Sequence, residues 1–198
     1  VRPYPPRRFA LKPLALALAQ AGLVTALFAP PSSAAQQVPH GPTVKHGSAT
    51  IQNTGPGRLC VTQDTDKAVI NWEGFSIGPG GKVRFVQPGS DSVVLNRVTG
   101  GEPSSIFGSI RANGQVFLVN PFGIYFSPTA TLDVGGLLAS TLNIRDHDFL
   151  AGRYLLTRDP ASPAGASVVN EGRITTQPGG YVVLAGDYAA NKGVIGAQ

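Results

Sequence analysis

The segment Asn170-Glu171-Gly172-Arg173-Ile174 returns as Asn191-Lys192-Gly193-Val194-Ile195, an offset of 21 from Asn170 to Asn191, and an apolar stretch precedes each copy. Gly108-Ser109-Ile110 with Gly114-Gln115-Val116-Phe117-Leu118 parallels Gly172-Arg173-Ile174 with Gly180-Tyr181-Val182-Val183-Leu184; the offset from Ile110 to Ile174 is 64, close to three such periods. A fixed period of this size is what one coil of a solenoid produces, because a coil cannot bury its apolar side alone and must stack on its neighbours. Beyond residue 35 no ten-residue window keeps a helical period, and short runs of Val, Ile, Leu and Phe alternate with Gly, Asn, Pro and Asp. The expected fold is all-β: a right-handed parallel β-helix with an N-terminal β cap over residues 36 to about 60. Asp146 to Pro163 breaks the apolar rhythm and reads as an excursion outside the coils.

The most detailed local pattern is Gln115 to Phe126. Val116 and Leu118 alternate with Phe117 and Val119, so a strand apolar on both faces runs into Asn120-Pro121, where proline removes a backbone donor and ends the ladder. Gly123 can then take a positive φ and let a new strand begin at Ile124.

This run, Asn120-Pro121-Phe122-Gly123-Ile124 followed by Val134-Gly135-Gly136-Leu137-Leu138-Ala139-Ser140-Thr141, resembles the signature of the two-partner secretion domain, also called the haemagglutination activity domain, of filamentous haemagglutinin-like exoproteins. The family pattern is an Asn-Pro-Asn-Gly-Ile turn and then Val-Gly-Gly-Leu-x-Ala-Ser-Thr. Similarity extends from about Val69 to Ile144, through Asn71-Trp72-Glu73-Gly74-Phe75, Leu95-Asn96-Arg97-Val98 and Ser104-Ser105-Ile106-Phe107-Gly108. Two departures stand out. Phe122 occupies the place of the second asparagine, and the family's other motif, Asn-Pro-Asn-Leu, has no clear copy; Gln87-Pro88-Gly89-Ser90 is only a turn nearby.

The resemblance implies a pectin-lyase-like solenoid and, for function, the N-terminal secretion-signal domain of a larger adhesin- or haemagglutinin-like exoprotein, residues 36–198. An outer-membrane TpsB-type transporter with periplasmic POTRA domains would recognise it while it is extended. Export then leads through the periplasm of a Gram-negative bacterium to the surface or the medium, and host surfaces or glycans are met by a downstream passenger. The residues expected to matter are Asn120, Pro121, Phe122, Gly123 and Ile124 for the turn, and Gly135 and Gly136 for a tight bend. Asn71 and Asn96 are expected to stack with asparagines of other coils.

Residues 1–35 read as a signal peptide. Arg2, Arg7, Arg8 and Lys12 form a basic start, Leu14 to Phe28 an apolar stretch, and Ser33-Ala34-Ala35 a small-residue site, with cleavage expected between Ala35 and Gln36. The full chain has 16 Lys+Arg against 11 Asp+Glu; removing those four cations leaves 12 against 11. The basic balance belongs to the leader, and no cationic stripe with interleaved aromatics points to nucleic acid. Cys60 is the single cysteine, so no intrachain disulfide forms, and its strand-like setting reads as a small buried hydrophobe. The chain's other end, Gly193-Val194-Ile195-Gly196-Ala197, reads as the start of another coil, as for the front of a longer passenger or a gene fragment.

No catalytic, cofactor or metal constellation is expected. Asp146-His147-Asp148 reads as a solvated loop rather than a metal site, and Gly78-Pro79-Gly80-Gly81-Lys82 lacks the spacing and following helix of a phosphate loop. Two rival functions remain. A polysaccharide-active β-helix enzyme needs paired carboxylates, whereas Asp91, Asp133 and Asp187 are scattered. An adhesive module that itself binds glycans needs no signature and is the nearer alternative.

Overall fold

The computed structural model describes residues 37–196, so the leader and its boundary at Ala35 and Gln36 lie outside the described residues. In chain order the strands are β1 (Thr43–His46), β2 (Ala49–Gly55), β3 (Arg58–Gln63), β4 (Lys67–Trp72), β5 (Lys82–Val86), β6 (Val93–Val98) and β7 (Ser104–Ile106). Then come β8 (Ser109–Ala112), β9 (Gln115–Val119), β10 (Ile124–Phe126), β11 (Thr131–Val134), β12 (Gly136–Ser140) and β13 (Asn143–Ile144). The short helix α1 (Asp146–Leu150) precedes β14 (Leu156–Thr157), β15 (Ser167–Asn170), β16 (Arg173–Thr176), β17 (Val182–Ala185), β18 (Tyr188–Asn191) and β19 (Val194–Gly196).

These strands wind a parallel β-helix with three faces. The first face has the order β2-β3-β5-β8-β11-β16-β19, the second β1-β4-β6-β9-β12-β17 and the third β7-β10-β15-β18. A coil crosses the faces in that order, as β8, β9 and β10 do, and every ladder between coils is parallel. The spacing inferred from the repeat holds where coils follow directly: Val116 pairs with Leu137 and Ile174 with Ile195, both at an offset of 21. The reading of the offset from Ile110 to Ile174 as three periods does not hold. Ile110 pairs with Leu132 and Leu132 with Ile174, so two coils separate them, and the extra length is spent between β12 and β15.

Alternation explains the core. On the first face Leu59, Val83, Ile110, Leu132 and Ile174 stand in register on successive coils, each no more than 4% exposed. Burying one such side chain contributes about 1.5–3 kcal/mol, offset largely by chain entropy, so a coil gains its place by adding to this column. The N-terminal cap joins the solenoid by antiparallel pairing: β2 pairs with β3 and β1 with β4, and Val44, Ala49 and Ile51 pack against the core.

The excursion is a strap. β13 and β14 form an antiparallel pair flanking α1, and Ile144 and Phe149 cover the outward side of the second face. There Val69, Val93, Leu95, Phe117, Val119 and Leu138 make a second core outside the coils. This is why β9 is apolar on both sides: Val116 and Leu118 point inward, Phe117 and Val119 lie under the strap.

Candidate functional site

The turn between β9 and β10 is built around one asparagine. Asn120 is fully buried, and its amide nitrogen donates to the Glu102 carbonyl at 3.0 Å and the Ser104 hydroxyl at 2.9 Å. Its side-chain oxygen accepts from the Phe122 backbone N–H at 3.0 Å, and its carbonyl from the Gly123 N–H at 3.1 Å. A side chain that closes its own turn while reaching the preceding coil leaves no choice of residue: aspartate offers no donor for Glu102, and leucine offers neither group. Pro121 is buried, and its carbonyl accepts from Ser162 of the strap at 2.9 Å.

Gly123 has φ +119, a region that L side chains avoid, and a Cβ there would stand 3.3 Å from the Ser167 carbonyl of the next coil. Ile124, 2% exposed, then starts β10 between Ser104 and Val168. Phe122, at the position where the sequence pattern departs, is half-buried. Gly135 and Gly136 lie at the corner from first to second face. The Gly135 N–H donates to the Gly114 carbonyl at 2.8 Å, and a Cβ on Gly135 would fall 2.8 Å from that same oxygen, so close approach rather than φ demands glycine. At Gly136 a Cβ would meet the Tyr181 ring at 3.3 Å.

Asn71 and Asn96 do not stack with other asparagines. Asn96 points inward, accepts from the Trp72 indole at 3.0 Å and donates to the Phe117 carbonyl at 3.2 Å. Asn71, one position out of phase, faces outward and accepts from Arg97 at 3.4 Å. A one-residue shift moves a side chain to the other face of a strand, so the two could never share a column. The asparagine stack lies later, where Asn170 donates to Asn191 at 2.7 Å.

Three further expectations change. Asp146-His147-Asp148 is neither strand nor solvated loop: it opens α1, Asp146 pairs with Arg97 at 2.6 Å, and Asp148, 7% exposed, with Arg153 at 2.9 Å. Cys60 is no core residue; Leu59 and Val61 point inward, and Cys60 is half-exposed on the outward side of β3. The balanced net charge hid a cationic cluster, since Arg58, Lys82, Arg84 and Arg111 share that outward side. Their alternation with Leu59, Val83, Phe85 and Ile110 was the signal for it.

The carboxylates weighed for catalysis lie apart. Asp91 is in the turn before β6, Asp133 faces outward on β11, and Asp187 is held by both oxygens to Arg158, at 2.7 and 2.6 Å. Gly78 to Lys82 is a turn into β5, closed by the Gly81 N–H on the Gly78 carbonyl. Residues missed in the sequence include Arg97, which bonds Asn143, the Ile144 carbonyl and Asp146 of the strap at 3.0, 2.6 and 2.6 Å. Gln87 was also missed: it joins three coils, donating to Gln63 and the Gln115 carbonyl and accepting from the Gly114 N–H.

The family model for the TPS secretion domain matches residues 35–198. A heme/hemopexin-binding protein of Haemophilus influenzae (strain ATCC 51907 / DSM 11121 / KW20 / Rd) is 34% identical over 170 residues, covering 83% of this chain and 18% of that protein. Another heme/hemopexin-binding protein of Haemophilus influenzae is 39% identical over 112 residues, 57% of this chain and 12% of its own length. The chain thus spans less than a fifth of these relatives. The crystal structure of the HMW1 secretion domain from Haemophilus influenzae superposes with a TM-score of 0.76 at 37% identity, covering 80% of this chain and 42% of that one.

Proposed function

Because this chain belongs to the TPS secretion domain family, we propose that it is the secretion-signal domain at the front of a larger exoprotein, read by a cognate outer-membrane transporter of the TpsB type. The observation that carries the mode of reading is burial. Asn120, Pro121, Gly123 and Ile124 are all buried in the finished coil, so a transporter that reads this turn reads the chain before it folds. POTRA domains on the periplasmic side are the proposed receptor for that extended chain. Residues 1–35 are the proposed leader, cut between Ala35 and Gln36; an exported protein whose intact mass still includes the leader would overturn that boundary.

Folding outside the membrane supplies direction without nucleotide hydrolysis. A domain's folding free energy, about 5–15 kcal/mol, is released only on the side where coils can close. The last strands β17, β18 and β19 are the edges of the three faces, and the exposed Val183, Tyr188 and Val194 on them are the proposed seat of the first passenger coil. The relatives are named for heme/hemopexin binding, and any such binding is proposed for the passenger rather than for this domain. A non-catalytic role fits the separated carboxylates.

The test is export with and without the partner. The chain should reach the medium only when its transporter is present, and periplasmic precursor should accumulate when it is absent; equal export in both strains would overturn the proposal.

A further inference from the structure

The outward side of the first face concentrates cations that the rest of the domain does not. Beyond residue 35 the chain has 12 Lys+Arg and 11 Asp+Glu, yet this side carries five cations, Arg58, Lys82, Arg84, Arg111 and Arg173, against Asp133 alone. All five are exposed. Register sets them in two rows along the helix axis. One row runs Arg58, Lys82, Ser109, Thr131, Arg173, and the other Cys60, Arg84, Arg111, Asp133, Thr175. Arg58, Cys60, Lys82, Arg84, Ser109 and Arg111 line a shallow trough of about 600 Å³. Its four cations have no ion-pair partner among the described residues, although six such pairs form elsewhere in the domain.

Like charges on neighbouring strands repel, so the arrangement costs stability unless an anion is bound. We propose that this trough binds a linear acidic polysaccharide, one carrying sulfate or carboxylate groups, laid along the helix axis. Coils repeat at about 4.8 Å, comparable to the advance of one sugar residue in an extended chain, so successive anionic sugars meet successive coils. Arginine offers the planar fork that matches sulfate and carboxylate, and Ser109 and Thr131 offer hydroxyls to the sugar. The outward side chains of the trough include no aromatic residue. A protein partner would lack the aromatic anchor on which interfaces depend, and a nucleic-acid base would have nothing to stack on. The proposal concerns the folded domain and does not depend on the export reading.

Cys60, the single thiol of the chain, lies within the trough and reports its occupancy. Purified protein is alkylated at Cys60 with and without heparin as the sulfated probe, with neutral dextran and polyglutamate as controls. Heparin should slow alkylation several-fold and dextran should not. The R84Q/R111Q variant, with its β-sheet circular dichroism intact, should bind heparin about tenfold more weakly, and R84K/R111K, which keeps the charge but loses the fork, should fall between that variant and the parent. Polyglutamate protecting Cys60 better than heparin at equal charge would replace the polysaccharide with an acidic polypeptide. Heparin binding without protection of Cys60, or undiminished in R84Q/R111Q, would overturn the site.

Discussion

Phe117 of β9 and Phe149 of the strap meet edge to face, ring centroids 6.0 Å apart and planes at 67°, and both are fully buried although neither points into the coil interior. Tyr154 completes the cluster at 4.8 Å from Phe117 and 5.9 Å from Phe149. A five-residue helix has no stability of its own, so α1 exists because this cluster and the Arg97 contacts hold it.

Phe149→Ala should therefore release the strap while leaving the coils wound. The cost should be about 3–5 kcal/mol in urea unfolding, with trypsin cutting near Arg145, Arg153 and Arg158 much faster than in the parent. Unchanged proteolysis would mean that the strap is held by something other than the aromatic cluster.

Gly123→Val places a branched side chain at φ +119 and against the Ser167 carbonyl. Backbone strain should cost about 1–3 kcal/mol, and export should fall while periplasmic precursor accumulates or is degraded. Secreted and periplasmic pools, compared with and without the transporter, measure it; normal export of the variant would remove the turn from the mechanism.

Two glycines of the solenoid should respond oppositely to one added methyl. Gly135→Ala forces a Cβ toward the Gly114 carbonyl and should lose about 1–3 kcal/mol. Gly89→Ala, with open space around it, should be neutral or slightly stabilising. Thermal melts of the pair provide the comparison, and equal losses would refute the close-approach account.

Tyr181 gives the domain an alkaline limit. Its phenol, which donates to Gln115 at 2.6 Å, is pushed up to about 12, chiefly by burial and further by nearby Tyr154. The folded state thus favours the protonated form; that contribution is whole below the ordinary tyrosine value of about 10 and is lost as the pH climbs toward 12. Stability should fall across that window, and Tyr181→Phe should flatten the part due to this residue. A parent profile flat from pH 10 to 12 would contradict it.

The solenoid was legible because its period and alternation are local: Ile174 and Ile195 recur one coil apart, and apolar positions alternate within each strand. The turn was legible for the same reason, since Asn120, Pro121 and Gly123 act within a few residues of each other. What escaped the sequence lies across coils or outside them. Asn71 and Asn96 belong to adjacent coils whose register no local pattern gives, so their columns were misjudged. Asp146 is tied to Arg97 and Lys67 to the Leu150 carbonyl, contacts visible only once the strap is folded back. The cationic trough needed neighbouring strands brought side by side before a neutral sum became a charged face.

Coils of like pattern invite a particular error, in which a strand settles on the wrong predecessor with its inward and outward positions still in phase. Apolar columns would barely notice, because valine on leucine packs about as well as valine on isoleucine. Gln87 would. The residue is only 5% exposed, and its partners Gln63, Ser92, Gly114 and Gln115 are supplied by three particular coils. A misplaced coil would strand those groups without water at about 1–3 kcal/mol each. The buried amide thus works as a key cut for one lock in a stack of similar ones, and it gives a repetitive rod a way to count its own turns.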